Sequence, residues 1–596
     1  MPMASESRVR EGAAVGTGKS VPSLRRGPFA ALVCVCAGAL GLCAGCHQAG
    51  SVAPSGSGEA VTATAPSIAF EFVDVAPEAG VNVVYQNGRE AGHSSILESL
   101  GGGAAVVDVD RDGWYDLFVT TGGGFDAKRI FGLPARLFRN LGSWRFSDIS
   151  QAAGEGFPSP HYTHGCFAGD YDNDGFPDLL VTGYGGLQLW HNQGDGTLVE
   201  VSREAGLQDT LWSSAAAWGD LDNDGWLDLY VAHYVDWSFS NHPRCVGPRP
   251  DLVDICPPKV FSPLPDTVWR NERDGTFSDQ TAHWGLRPDG KGLGVVIGDI
   301  NLDGFADIYV GNDTTDNFLY INELNGPSGK LRECAVLSGV AVDDRGTPNG
   351  SMGVDLGDYN LDGRPDIWVA NFEVESFALY RNDGNGQFLH VSRATGVTAL
   401  GGLFVGFGTA FVDLDRDGDE DILINNGHVI NYPRNAPFLQ QPVLLVNEQG
   451  QRYLRYEFPA GTYFATPHAG RGLAMGDLDE DGDVDVVMTN NHERLAVLRN
   501  DTPAPARYLR VRLIGRRSNR NAIGAHVFLL TRQGKRILRL VKSGVSYLSD
   551  HDERLDWGIP AGDEPEELHI RWPAGETSII SITPQTRTLT VWEPLQ

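Results

Sequence analysis

The chain is 596 residues long, with 47 Lys and Arg against 77 Asp and Glu and a formal net charge of −30. That length accommodates a large domain with accessories. That charge excludes nucleic acid as a partner, because binding phosphate needs a basic surface.

The first element in chain order is a targeting segment. Arg25 and Arg26 precede an apolar run from Phe29 to Gly45 that closes in LCAGC. A charged region, a hydrophobic core and small residues before a cysteine make a signal segment over residues 1–46. It resembles a bacterial lipoprotein signal, with Ala44-Gly45-Cys46 as the cleavage site and Cys46 as the lipidated residue. Cys43 stands where such signals usually carry Leu, so ordinary secretory cleavage and a single uncleaved anchor stay open as alternatives. The apolar run is near the lower limit for a membrane span. The expectation is an exported lipoprotein, anchored to a membrane in the periplasm or at the cell surface. Residues 47–67 are small and polar and read as a flexible tether.

Residues 68–504 are built on a repeat. A lone strand, FEFVDVAPEAGV at 70–81, comes first. Then DVDRDGWYDL at 108–117 places Asp at positions 1, 3, 5 and 9 and Gly at position 6. Four carboxylates so close repel one another unless a hard cation neutralises them. Calcium takes six to eight oxygens in a flexible shell, and this spacing resembles the first part of an EF-hand loop. The ligands would be Asp108, Asp110, Asp112 and Asp116, with the Trp114 carbonyl at position 7. The register recurs at Asp170, Asp172, Asp174, Asp178 and at Asp220, Asp222, Asp224, Asp228. It recurs again at Asp299, Asn301, Asp303, Asp307 and at Asp358, Asn360, Asp362, Asp366. The last copies are Asp413, Asp415, Asp417, Asp421 and Asp477, Asp479, Asp481, Asp485. An Asp- and Gly-rich surface turn would explain one copy, not seven in one register. Oxygen donors without His or Cys inside the pattern point to Ca2+ rather than a transition metal, at up to seven sites. Seven such ions would offset about half of the net charge, so the acidity is largely a metal-site signature.

Each loop is followed by a short β-rich run (LFVT, LLVT, LYVA, IYVG, IWVA, ILIN, VVMT). Further on comes a strand ending in Asn: Asn140, Asn192, Asn271, Asn322, Asn382, Asn447 and Asn500. A fourth strand of the FSDIS type follows most of these. About four short strands per repeat make a propeller blade. The fold class is therefore all-β: a seven-bladed β-propeller followed by a small β-rich C-terminal domain at 505–596. The seventh loop lacks a fourth strand, so the lone strand at 70–81 is expected to complete the last blade and lock the ring.

Three repeats carry insertions between loop and Asn. The longest, about 234–264, contains Pro, aromatics and two cysteines, and a long loop on a rigid scaffold is the usual place for binding. Exposed Trp237 and Phe239 there would favour a binding rim, whereas a pocket on one face would favour an enzyme. Four of the eight cysteines lie in the signal segment. Export permits disulfides, and Cys245 and Cys256 are the expected pair. Cys166 and Cys334 are expected to be buried free thiols. His161, His164, His428 and His492 are the candidate catalytic residues, each weighed against a structural hydrogen-bonding role. No Ser-His-Asp signature or separate carboxylate pair emerges, so no catalytic residue is assigned.

Residues 501–596 carry 14 Lys and Arg against 11 Asp and Glu. The basic run Arg507–Arg520 reads as a solvated strand face or as a contact to the acidic propeller or an anionic polymer.

The loops with their flanking strands resemble FG-GAP/VCBS repeats, as in the integrin α-subunit propeller. ILESLGGGAAVVDVDRDG, SMGVDLGDYNLDGRPDIWVANF and GFGTAFVDLDRDGDEDILINNGHV, together with NAIGAHVFLL, SGVSYLSD and LHIRWPAGE, are similar to the cartilage acidic protein family with its ASPIC/UnbV domain. Where that family usually has aromatic-Gly-Leu-Gly, this chain has LDWGIP at 555–560. The resemblance implies an extracytoplasmic, calcium-binding, adhesion- or matrix-like protein and does not imply a chemical reaction; with the signal segment, the leading expectation is a propeller anchored to a membrane through its N-terminal lipid that binds a protein or glycan. A periplasmic or secreted enzyme acting on a carbohydrate, and a purely structural subunit, are the alternatives.

Overall fold

The computed structural model describes residues 68–503 and 507–595. The signal segment, the tether and Cys46 lie outside the described residues. Each repeat folds as four antiparallel strands. In the fourth these are Gly292–Gly298, Asp307–Asn312, Phe318–Glu323 and Lys330–Glu333. The apolar runs seen in sequence are second strands, buried along their whole length. Both faces of each sheet are covered, so these strands read as continuous hydrophobic runs.

Seven such four-stranded sheets form. Three strands of the last come from Gly470–Gly476, Asp485–Asn490 and Ala496–Asn500, and the fourth is Phe72–Asp74. Phe72 pairs with Asn500 and Asp74 with Leu498. First strands of successive sheets lie side by side around a common axis, and that of the seventh meets Ala104–Val107 of the first. The arrangement is propeller-like, with the strand from the N-terminal side completing the seventh blade.

The C-terminal residues form two sheets. One joins Arg507–Ile514 to Leu555–Ile559 and, in parallel, to Thr588–Trp592. The other orders Arg536–Leu540, His526–Thr531, Pro565–Arg571 and Thr577–Ser581. LDWGIP is thus one strand and its end. The segment between Arg536–Leu540 and Leu555–Ile559, which contains SGVSYLSD, leaves this domain and enters the propeller axis. Ser543 bridges Ile297 of the fourth blade and its hydroxyl accepts the Trp218 N–H of the third. The Ser546 N–H donates to Val354 of the fifth blade, and its hydroxyl bonds Thr409 of the sixth and Leu473 of the seventh. Asp550 bonds Val106 of the first and Ala168 of the second. All seven blades therefore hold one plug. Gly544 sits at φ +76°, and a Cβ there would lie 2.4 Å from Ala217, so the close approach and the left-handed backbone both require glycine.

The aspartate loops join first strands to second strands, and the insertions join second strands to third, so loops and insertions emerge at opposite ends of the blades. At the insertion end, His93 packs edge-on against Phe125 of the first insertion and Phe239 of the third. Asn431 of the sixth donates to Asp254 of the third. Cys245 and Cys256 form a disulfide within the third insertion, and Cys166 and Cys334 are buried free thiols. Trp237 forms no exposed rim. Its ring is 2% exposed and packs on Trp212 and Tyr184, because the insertions fold over one another instead of standing in solvent.

Candidate functional site

The seven aspartate loops share one conformation. Gly at position 6 has a positive φ in every copy, from +82° at Gly363 to +103° at Gly304. Position 4 is also left-handed in all seven: Arg111, Asn173, Asn223, Leu302, Leu361, Arg416 and Glu480. For Leu302 and Leu361 this costs about 1–2 kcal/mol each. Strain repeated at one position marks a geometry imposed for a purpose.

Two bonds recur in every loop. One oxygen of the position 1 aspartate accepts the N–H of the position 6 glycine, at 2.7–3.2 Å. One oxygen of the position 9 aspartate accepts the backbone N–H of the strand-ending asparagine, at 2.7–2.9 Å. These bonds turn the remaining oxygens toward the loop centre.

The asparagines have a second role that spacing alone did not reveal. The Asn322 side chain donates to the Ala306 carbonyl of its own loop and to the Leu221 carbonyl of the preceding blade's loop. Asn192, Asn271, Asn382, Asn447 and Asn500 repeat this double bond to the blade before. Asn140 of the first blade reaches Leu478 of the seventh. Seven amide staples thus run around the ring.

The carboxylates lie close. Asp108, Asp110 and Asp112 offer oxygens within 4.8 Å of one another. So do Asp170, Asp172 and Asp174, then Asp220, Asp222 and Asp228, then Asp413, Asp415 and Asp417. Asp178 joins Asp172 and His191, a residue outside the nine-residue pattern that sequence reading missed. Asn301 and Asn360 each donate a side-chain N–H to the position 5 aspartate, at 2.9 Å.

Charge balance tests whether a cation fits. Buried oxygens of Asp108, Asp110, Asp170, Asp222, Asp366 and Asp421 have no hydrogen-bond partner. Burial pushes the carboxyl of Asp108 up to about 6 and those of Asp170, Asp220, Asp299, Asp358 and Asp413 to about 7. Partnerless buried carboxylate oxygens facing one another are costly unless neutralised. The donor set fits a hard divalent cation.

Basic side chains meet part of this need. Arg139 bridges Asp110 and Asp112 at 2.6 and 2.9 Å, and Arg270 bridges Asp222 and Asp224 at 2.5 and 3.2 Å. The C-terminal domain supplies others. Arg510, 1% exposed, pairs with Asp477 and Asp556. Arg571 lies 3.8 Å and His526 3.6 Å from Asp299. Gly558 of LDWGIP donates its N–H to Asp413 at 2.9 Å. At Arg510 the basic run is a contact to the acidic propeller.

Two of the histidines weighed for catalysis have structural tasks. His164 is buried between the Gly101 carbonyl and the Trp212 N–H, and burial drops its ring to about 4. Nδ1 of His428 accepts the backbone N–H groups of Val429 and Ile430. His492 lies 3.3 Å from Glu90, and His161 is half-buried with its pKa lowered by burial.

Comparison with known proteins agrees with this architecture. Residues 108–181, 170–231, 249–310, 301–369 and 358–424 match the FG-GAP-like repeat, and 515–595 match ASPIC and UnbV. Cartilage acidic protein 1 of Xenopus tropicalis is 23% identical over 510 residues, spanning 81% of this chain and 72% of that protein. The Homo sapiens protein of the same name is 24% identical over 508 residues, spanning 81% and 70%. Among solved structures, an Agrocybe aegerita lectin specific for non-reducing terminal N-acetylglucosamine aligns at 14% identity and a TM-score of 0.34, over 65% of this chain and 85% of that one.

Proposed function

The chain belongs to the FG-GAP-like repeat family, with an ASPIC and UnbV domain at its C-terminal end, and from that premise we propose an exported, calcium-stabilised propeller that binds a protein or glycan ligand at the cell surface. The partnerless buried oxygens inside the aspartate loops carry this reading. They require a counter-charge that Arg139 and Arg270 supply only in part, and calcium accepts six to eight oxygens in irregular geometry. Export and anchoring at Cys46 rest on the signal segment. In this reading the ions hold the blades and the ligand binds elsewhere.

Thermal unfolding with calcium, with magnesium and with chelator tests it, alongside metal analysis. An ion that binds only the folded state raises its apparent stability. A calcium-specific rise with several ions bound per chain is the expected result. No rise and no bound metal would overturn the reading. A carbohydrate-active enzyme is the second reading, favoured by a cavity at the insertion end that is lined by His428 and His492.

A further inference from the structure

A cavity of about 310 Å³ opens at the insertion end, away from the aspartate loops. That is the lower end of the range for small-ligand sites. Its walls come from the segment after the N-terminal strand, the third and sixth insertions, and the first strand of blade seven with the turn after its second.

Arg471 lines it and is 2% exposed. Its guanidinium donates to the carbonyls of Ser99, Gly427, Gly470 and His428. It stacks over the Phe407 ring at 4.2 Å. Guanidinium has five donors, and these carbonyls take four. Among the described residues no carboxylate forms an ion pair with it. The carboxylates of the cavity are engaged elsewhere. Glu98 accepts the Ser95 N–H and hydroxyl at 2.9 Å, Glu493 holds His468 at 2.7 Å, and Glu90 lies 3.3 Å from His492. Arg471 is therefore a buried cation without a counter-ion, which is costly.

Two more polar groups line the cavity. Nδ1 of His428 is an acceptor for two backbone N–H groups, which places the ring proton on Nε2. That Nε2–H is fully buried and faces the Glu373 carboxylate 3.4 Å away. Oδ1 of Asn491, 6% exposed, accepts nothing. The cavity thus presents a cationic donor and an acceptor. An apolar wall at Phe438 completes it, with Arg89 stacked on that ring.

We propose that this cavity binds the terminal uronate of an acidic glycan, its carboxylate against Arg471 and a hydroxyl against Asn491 Oδ1. A carboxylate supplies the missing counter-charge, and a hydroxyl both donates and accepts. The inference rests on the reading of the chain as a binding protein and names the ligand class of that reading.

Calorimetry on the calcium-loaded protein tests it, with methyl β-glucuronide, methyl β-glucoside and acetate as probes. The glucuronide is expected to bind at least about tenfold tighter than either control, since each lacks half of the contacts. Arg471 is held by four carbonyls, so replacing it endangers the floor of the cavity. Asn491→Ala is the cleaner variant and should weaken the glucuronide about tenfold with an unchanged melting temperature. Equal binding of glucoside and glucuronide, no saturable glucuronide binding, or an Asn491→Ala protein that binds like wild type would each overturn the proposal. Calcium-dependent stability without glucuronide binding would sink this inference alone, while glucuronide binding without calcium dependence would sink the metal reading alone.

Discussion

Asn322→Ala removes one amide staple from the fourth blade. The backbone N–H that holds Asp307 remains. Lost are the donations to Leu221 and Ala306, at 2.8 and 2.9 Å, and the acceptor for the Leu324 N–H, at 3.1 Å. Asn322 is 4% exposed, and Leu221 and Ala306 are buried, so water does not readily replace the amide. A buried polar group left without its partner costs about 1–3 kcal/mol. Two such carbonyls, with the half-buried Leu324 N–H contributing less, give an expected loss of about 3 kcal/mol. Denaturant unfolding with calcium held constant measures it. Asn325→Ala is the control, because Asn325 is exposed and donates only to the Asp222 carbonyl. Its expected loss is about 0.5 kcal/mol or less. If Asn322→Ala fell within about 0.5 kcal/mol of wild type, the staples would be incidental and the ring would owe its closure to strand packing alone.

Replacing Asp222 and Asp224 together by Ala should lower calcium stoichiometry by one, and an unchanged stoichiometry in calorimetry would remove the third loop from the metal sites. In chelator, stability should fall as pH rises from about 4 to about 7.5. Asp170, Asp220, Asp299, Asp358 and Asp413 titrate near 7 when folded and near 3.9 unfolded, so the folded state holds extra protons that it loses through this window. Saturating calcium should flatten that slope, since the ion holds the folded carboxylates ionised like the unfolded ones; identical slopes with and without calcium would contradict the metal assignment. Gly544→Val should destabilise the chain by about 2–4 kcal/mol through overpacking and left-handed strain, and a wild-type melting curve would mean that the plug does not bear on the ring. Cys46→Ser should move the protein from the membrane fraction to the soluble fraction, and retention would support an uncleaved anchor.

The repeats were legible because the aspartate register and the strand alternation are local patterns. Seven copies of one nine-residue spacing dictate seven loops, and the surplus strand at the start dictates its place in the seventh sheet. The recurring asparagines were visible too, but their bonds to the preceding blade were not, since a contact such as Asn322 to Leu221 joins residues 101 apart in sequence. The plug was hidden for the same reason. SGVSYLSD has no periodicity of its own, and its bonds go to seven separate strands. Whether Trp237 stands in solvent or in the core was not legible from its neighbours in sequence. Its burial comes from Trp212 and Tyr184 of other segments.

The two ends of the ring differ in how their charges are balanced. At the loop end, anionic oxygens outnumber the nearby bases, and the C-terminal domain brings Arg510 and Arg571 to Asp477 and Asp299. Docking of that domain and filling of the loops therefore act on the same carboxylates. A variant that removes Arg510 would leave Asp477 more dependent on the ion, so calcium should stabilise it more than it stabilises the wild type. At the insertion end the imbalance has the opposite sign, because Arg471 is buried among carbonyls without an anion. Arg471 thus lies buried under the insertions of a chain that is acidic overall, and there it offers an acidic ligand a counter-charge.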